Sequence, residues 1–361
     1  MAYKILYLED LAPFTIAREV EQQGFEVIHV QPNDNFEETL SQIQSIGADL
    51  LLMDFRLNAG KAKFNAPPFA QFFRSQVIDG GINLPIVVIS SENNIRDYYR
   101  DYTSFDLFDF AVDKETFLQK TEKYCNLFKE LIEGYKLLRE NQLAQVKVDI
   151  KLLKIPEVIE NQLDSRFLDL FSMEKYQTNA CMMTGLLLTT LVKPAGILMG
   201  PDILSARLGI SRTSPDWSLL IDELKDFKYT GLYSKTYDRW WSQGIDIWWK
   251  SNFPTLTTLR RLSANERCKY ISEKFGLSNL QTLEKESDFS NSNRFWTVCS
   301  GTFCPLDPID GFEIARDLNN SPWLEPRFYS LNFLVNYANQ DNIKELKEPE
   351  RERLAEVRSN S

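Results

Sequence analysis

Two short apolar runs that stop on carboxylates constrain this chain more than any other feature. Tyr3–Leu8 (YKILYL) closes on Glu9-Asp10, and Leu50–Met53 (LLLM) closes on Asp54. Around them the pattern alternates. Residues 13–23 and 36–46 carry helical periodicity, with Phe25–Val30 (FEVIHV) reading as a strand between them. Pro67–Val77 reads as a helix. Ile86–Ile89 (IVVI) reads as a strand ending in Ser90-Ser91, and Leu107–Val112 as a fifth strand followed by Lys114. Apolar strands separated by helices predict an α/β domain, a doubly wound five-stranded parallel sheet covered on both faces.

In such sheets ligands bind beyond the carboxyl ends of the strands. Glu9, Asp10, Asp54, Ser90 and Lys114 all fall at those ends, so residues far apart in sequence should converge. Clustered carboxylates repel one another unless a cation sits among them. An oxygen-only donor set suits Mg²⁺. Within it, the Asp54 carboxylate can act as a nucleophile toward phosphorus. Lys114 can pair with a phosphoryl oxygen and the Ser90 hydroxyl can donate to another, which would draw its loop toward the site.

This set resembles the receiver domain of bacterial two-component response regulators over residues 3–118. The resemblance rests on Glu9-Asp10, on Asp54 placed 44 residues after Asp10, on Pro85–Ser90 and on Lys114 within Val112–Phe117. It implies a flavodoxin-like fold with Asp54 as phosphoacceptor. Glu9, Asp10 and Asp54 would be Mg²⁺ ligands, together with the backbone carbonyl of Arg56. Ser90 and Lys114 would be phosphoryl contacts, and a histidine kinase the partner. No activity beyond receiver self-phosphorylation and dephosphorylation is expected. Three departures bear on output rather than chemistry. Glu115 follows the lysine where the family has proline, and Ala111 takes the place of the switch aromatic, with Phe110 one step earlier. The segment Leu57–Leu84 is long and carries Lys61, Lys63 and Pro67-Pro68.

The chain holds one histidine, His29, in the second strand. That excludes mechanisms needing two histidines, and Ser-His-Asp hydrolases or histidine-ligated zinc enzymes built in the C-terminal half. The five cysteines lack framework spacing and suit a reducing cytoplasm. No run of about 18 apolar residues predicts a membrane span. Residues 1–118 carry 18 acidic and 9 basic side chains, which accounts for nearly all of the net charge of −10. The acidity favours a divalent cation or a basic partner for this part, not nucleic acid.

From Phe117 a strict heptad runs through Thr121, Tyr124, Phe128, Leu131, Tyr135 and Leu138. It predicts a helical linker over residues 119–160, broken at Pro156, with a coiled-coil homodimer through residues 117–138 as one outcome. Packing of its first half on the sheet is the other. Residues 161–340 read as a mainly helical output domain that holds all seven tryptophans, and residues 341–361 as a charged tail. Met182–Val192 reads as a buried helix. Asp216, Glu223 and Lys225 mimic a nuclease set, but on a helical period. Ile203–Trp217 resembles a helix–turn–helix, yet its second helix is acidic, against phosphate contact.

Residues 225–269 hold nine basic and four acidic side chains among Tyr229, Tyr233, Tyr237, Trp240, Trp241, Trp248 and Trp249. They could stack single-stranded bases, but core packing is favoured. Cys299 and Cys304 lack partners for zinc, and Asp307–Gly311 reads as a turn. The expected whole is a signalling protein whose receiver switches a C-terminal output. An unphosphorylated interaction scaffold and a nucleic-acid-binding output are the alternatives. Divergent receivers with unfamiliar C-terminal parts also resemble those encoded in bacterial conflict systems beside GHKL-type ATPases. By analogy, antiviral defence becomes a candidate role and such an ATPase a candidate partner.

Overall fold

Five strands pair in parallel in the order β2-β1-β3-β4-β5: β1 (Lys4–Leu8), β2 (Glu26–Val30), β3 (Leu50–Asp54), β4 (Ile86–Ser90) and β5 (Phe110–Asp113). That order is the flavodoxin-like doubly wound sheet. The computed structural model describes residues 2–11, 14–58, 60, 62–78, 83–91, 107–286, 290–316 and 321–359. Pro13, Lys61 and the final Asn360-Ser361 lie outside them.

Strand alternation sorts the sheet's side chains into two layers. Leu6, Leu8, Leu51, Met53, Ile86 and Val88 pack with Leu40 and Ile43 of helix α2 (Phe36–Ile46) and with Phe69 and Phe73 of α3 (Ala66–Ile78). Ile5, Tyr7, Leu50, Leu52, Val87 and Ile89 occupy the opposite face and are wholly buried. Helix α1 (Phe14–Gln22) packs against α4 (Lys114–Gln119) and α5 (Thr121–Leu143). The three central strands are buried on both faces along most of their length, which is why their interior positions are apolar or aromatic.

The heptad seam is not a free face. Phe117, Phe128, Leu131, Tyr135 and Leu138 are all at most 1 % exposed within the single chain. Phe117 stacks on Tyr124 and Phe128 with ring centroids 5.9 Å apart. Lys129 donates to the Gln23 carbonyl, and Lys136 pairs with Asp49. The linker expected from residue 119 is therefore, through Leu143, part of the first domain. The period-seven spacing arose because α5 buries one stripe along its length.

The chain divides into two compact units, residues 1–152 with 168–189, and residues 153–167 with 190–361. The first unit thus extends past residue 118 and takes back a later stretch, because helix Ala180–Leu187 packs on α5. Pro156 begins a short helix, Glu157–Glu160, as its N-cap, where a break was expected.

The second unit is helix-rich. Helices Pro201–Leu208, Trp217–Glu223, Ser242–Asn252 and Ala264–Phe275 close around Leu204, Leu208, Leu220, Ile245, Trp248 and Ile271. A second cluster, including Cys299, Phe312, Tyr329, Leu334 and Leu354, is built from two-stranded pairs and the last three helices. The charged tail is one of these, Glu348–Ser359, and it buries Leu354.

Candidate functional site

The register of the sheet assembles the site. Leu8 lies opposite Met53, so Glu9 and Asp54 leave their strands side by side. Asp54 lies opposite Ile89, one residue before Ser90, and Ser90 lies opposite Asp113, one residue before Lys114. Asp113 N-caps α4, its Oδ1 accepting from the Thr116 amide at 2.7 Å. This cap fixes where Lys114 enters the helix.

Lys114 Nζ donates to Asp54 Oδ2 at 2.8 Å and to Glu9 Oε2 at 3.1 Å. Both carboxylates are buried, as is Ser90. Burial raises the Glu9 carboxyl to about 7, with the Asp54 charge adding to the effect and Lys114 opposing it. Burial also works against the Lys114 charge, but Asp54 and Glu9 outweigh it and its pKa is raised. Asp54 Oδ1 is buried and has no hydrogen-bond partner.

Four contacts come from residues that the strand-end pattern did not single out. Tyr7 donates its phenol hydrogen to Glu9 Oε2 at 3.2 Å, and burial with the adjacent carboxylates pushes its pKa up, so it stays a donor. His29 Nε2 lies 2.8 Å from the Glu9 carbonyl, and Gln31 Nε2 donates to the Asp10 carbonyl at 2.9 Å. The Gly60 amide donates to Asp10 Oδ2 at 3.2 Å, so the long loop after β3 reaches the site. The alternation of β1 could have signalled Tyr7, since residues two apart share a face. Nothing local signals Gln31 or Gly60.

Among the described residues, no three acidic, cysteine or histidine side chains are gathered closely enough to hold a metal as they stand. The donor chemistry nevertheless fits Mg²⁺. Glu9, Asp10 and Asp54 supply only oxygens, and Asp54 Oδ1 is buried without a hydrogen-bond partner. Arg56 follows β3 by two residues and bridges to Asn65.

The sites weighed elsewhere disperse. Trp240, Trp241, Trp248, Trp249, Tyr229 and Tyr233 are all buried, so they are core and not a stacking platform. Trp240-Trp241 form a strand paired with Leu198–Met199, while Trp248-Trp249 lie on a helix. Asp216 accepts from the Asn279 amide and Lys225 pairs with Asp222, which leaves no nuclease constellation. Cys299 and Cys304 face each other across a hairpin as free cysteines. Asp307 accepts from Arg260 and from Ser292 within its turn. No helix among the described residues is long and apolar enough to cross a membrane.

No protein-family model matches the sequence, and a comparison with curated proteins finds no match. Solved structures similar to the N-terminal part are response-regulator receiver domains. The one from Clostridium thermocellum is 15 % identical over 38 % of this chain and 98 % of its own, with TM-score 0.29. That from Methylobacillus flagellatus is 18 % identical over 32 % and 87 %, with TM-score 0.24. The Thermotoga maritima response regulator TrrA, solved with Mg²⁺ and BeF, is 22 % identical over 35 % and 98 %, with TM-score 0.26. At these identities the likeness concerns fold alone. The C-terminal region matches no named family.

Proposed function

We propose that the first unit is a phosphoacceptor receiver of a two-component pathway and that the second unit is its output. The observation that carries this reading is Asp54. Its carboxylate sits buried at the end of the central strand, Oδ2 paired with Lys114 and Oδ1 without a partner. An oxygen held this way is shielded from bulk water and gives up no hydrogen bond when it attacks, which suits a nucleophile.

In the proposed step Asp54 Oδ1 forms a bond to phosphorus as the P–N bond of a kinase phosphohistidine breaks. The imidazole keeps the electron pair. Lys114 turns from Asp54 Oδ2 to an oxygen of the phosphoryl group, and the Ser90 hydroxyl donates to another. Glu9, Asp10, Asp54 and the Arg56 carbonyl would hold Mg²⁺, which would supply positive charge against the transferring oxygens. A histidine kinase or a GHKL-type ATPase is the proposed partner, in the cytoplasm. Self-association, if it accompanies switching, uses residues other than the seam over 117–138, which the chain buries itself. A role in antiviral defence is the pathway reading; an unrelated gene neighbourhood would count against it.

The test is acetyl phosphate with Mg²⁺, read by intact mass. The expected result is gain of one phosphoryl group in the wild type and none in Asp54→Asn. A wild type that neither gains mass nor changes its hydrogen exchange with beryllofluoride overturns the reading and favours a scaffold.

A further inference from the structure

We propose that Tyr7 is a positioning residue of the Asp54 site, its phenol holding the Glu9 carboxylate in the orientation that the site's cation needs. This rests on the receiver reading above and extends it to a residue inside the sheet.

Tyr7 lies in the middle of the sheet with His29 and Leu52 as its strand neighbours, and it is fully buried. Apart from His29, its neighbours on that face include Ile5, Leu50, Leu52, Val87 and Ile89, which are apolar and buried. Phenylalanine would fill such a position with no polar atom to satisfy. A buried hydroxyl costs free energy unless it finds a partner. The partner here is Glu9 Oε2, 3.2 Å away.

The geometry follows from the strand. Tyr7 and Glu9 are two residues apart and project to the same face, as do Leu52 and Asp54 on the neighbouring strand. Tyr7 therefore reaches Glu9 from beneath, along β1. The Glu9 backbone is already pinned, its amide donating to the Val30 carbonyl at 3.2 Å and its carbonyl 2.8 Å from His29 Nε2. What remains to be set is the side-chain torsion. Tyr7 and Lys114 meet on the same carboxylate oxygen, so a continuous line runs Tyr7–Glu9–Lys114–Asp54.

The two holders differ in what they do during the proposed reaction. Lys114 is recruited to the phosphoryl group and its hold on Glu9 loosens. Tyr7 has no other role at the site and keeps its hold. Its contribution should thus appear in cation affinity.

The experiment is calorimetric titration of Mg²⁺ into the full-length protein, in the wild type, Tyr7→Phe, Glu9→Gln and the double variant. Tyr7→Phe keeps the ring and removes only the hydroxyl; circular dichroism checks that it folds. The expected result is a loss of about three- to tenfold in Mg²⁺ affinity for Tyr7→Phe, and less than about twofold when Glu9 is already Gln. The Mg²⁺ concentration that gives half-maximal phosphorylation by acetyl phosphate should rise about three- to tenfold in Tyr7→Phe. Equal affinity in wild type and Tyr7→Phe overturns the proposal and leaves the Asp54 reading standing. An equal loss in both backgrounds shows that Tyr7 acts through packing and also overturns it. A wild type that binds no Mg²⁺ overturns both.

Discussion

Tyr135 donates its phenol hydrogen to Asp109 Oδ1 at 2.7 Å, tying α5 to the residue that precedes β5. Asp109 Oδ2 accepts from Arg74 Nη2 and from the Ile86 amide, both at 2.8 Å. Arg74 also donates to the Leu84 carbonyl at 2.7 Å and the Leu107 carbonyl at 3.2 Å. One buried carboxylate thus joins α3, β4, β5 and α5. Replacing Asp109 by Ala leaves the Arg74 charge buried without its counter-ion. The expected loss is about 3–5 kcal/mol, against about 1–2 kcal/mol for Tyr135→Phe. Urea denaturation measures both; a loss under about 1 kcal/mol for Asp109→Ala would contradict the cluster's role.

The Glu9 carboxyl predicts a pH dependence in metal-free protein. Its folded pKa is raised to about 7, above its unfolded value. The stability linked to it is therefore full below about pH 4.5 and lost as pH rises through 7. Melting curves in EDTA should show wild type losing ground to Glu9→Gln between pH 5 and pH 8, on the order of 2 kcal/mol. A difference that stays constant across that range would show that Glu9 does not titrate there.

The seam of α5 makes a prediction that separates a core stripe from a dimer stripe. Leu131 is wholly buried, whereas Leu143 is 82 % exposed. Leu131→Ala should cost about 2–5 kcal/mol at any protein concentration. Leu143→Asp should change stability by less than about 0.5 kcal/mol. A cost for Leu131→Ala that varies with protein concentration would instead reveal a coiled-coil partner.

In the second unit Trp249 Nε1 donates to the Thr257 carbonyl at 3.0 Å, and its ring lies 4.2 Å from that of Phe253. Trp249→Ala should cost about 3–5 kcal/mol by thermal or chemical unfolding. If the variant kept wild-type stability but lost binding to single-stranded nucleic acid, the core assignment would fail.

The strands were legible because a buried parallel strand must be apolar along its length, as Leu50–Met53 and Ile86–Ile89 are. Glu9, Asp54 and Lys114 were legible as polar residues at strand ends, and the register brings these three into contact. The Asp109 cluster was not. Arg74, Asp109 and Tyr135 are each ordinary residues locally, and their meaning lies in contacts across 26 and 35 positions. The heptad misled for a related reason. A stripe of period seven states that a helix buries one side, not what it buries it against.

The chain passes between its two units three times, after residues 152, 167 and 189. No single scission separates the two units cleanly. A cut after residue 189 leaves residues 153–167 of the second unit attached to the first, and a cut after residue 152 leaves residues 168–189 of the first attached to the second. Separately expressed halves should then be sought as complementing fragments that must find each other, not as independent modules.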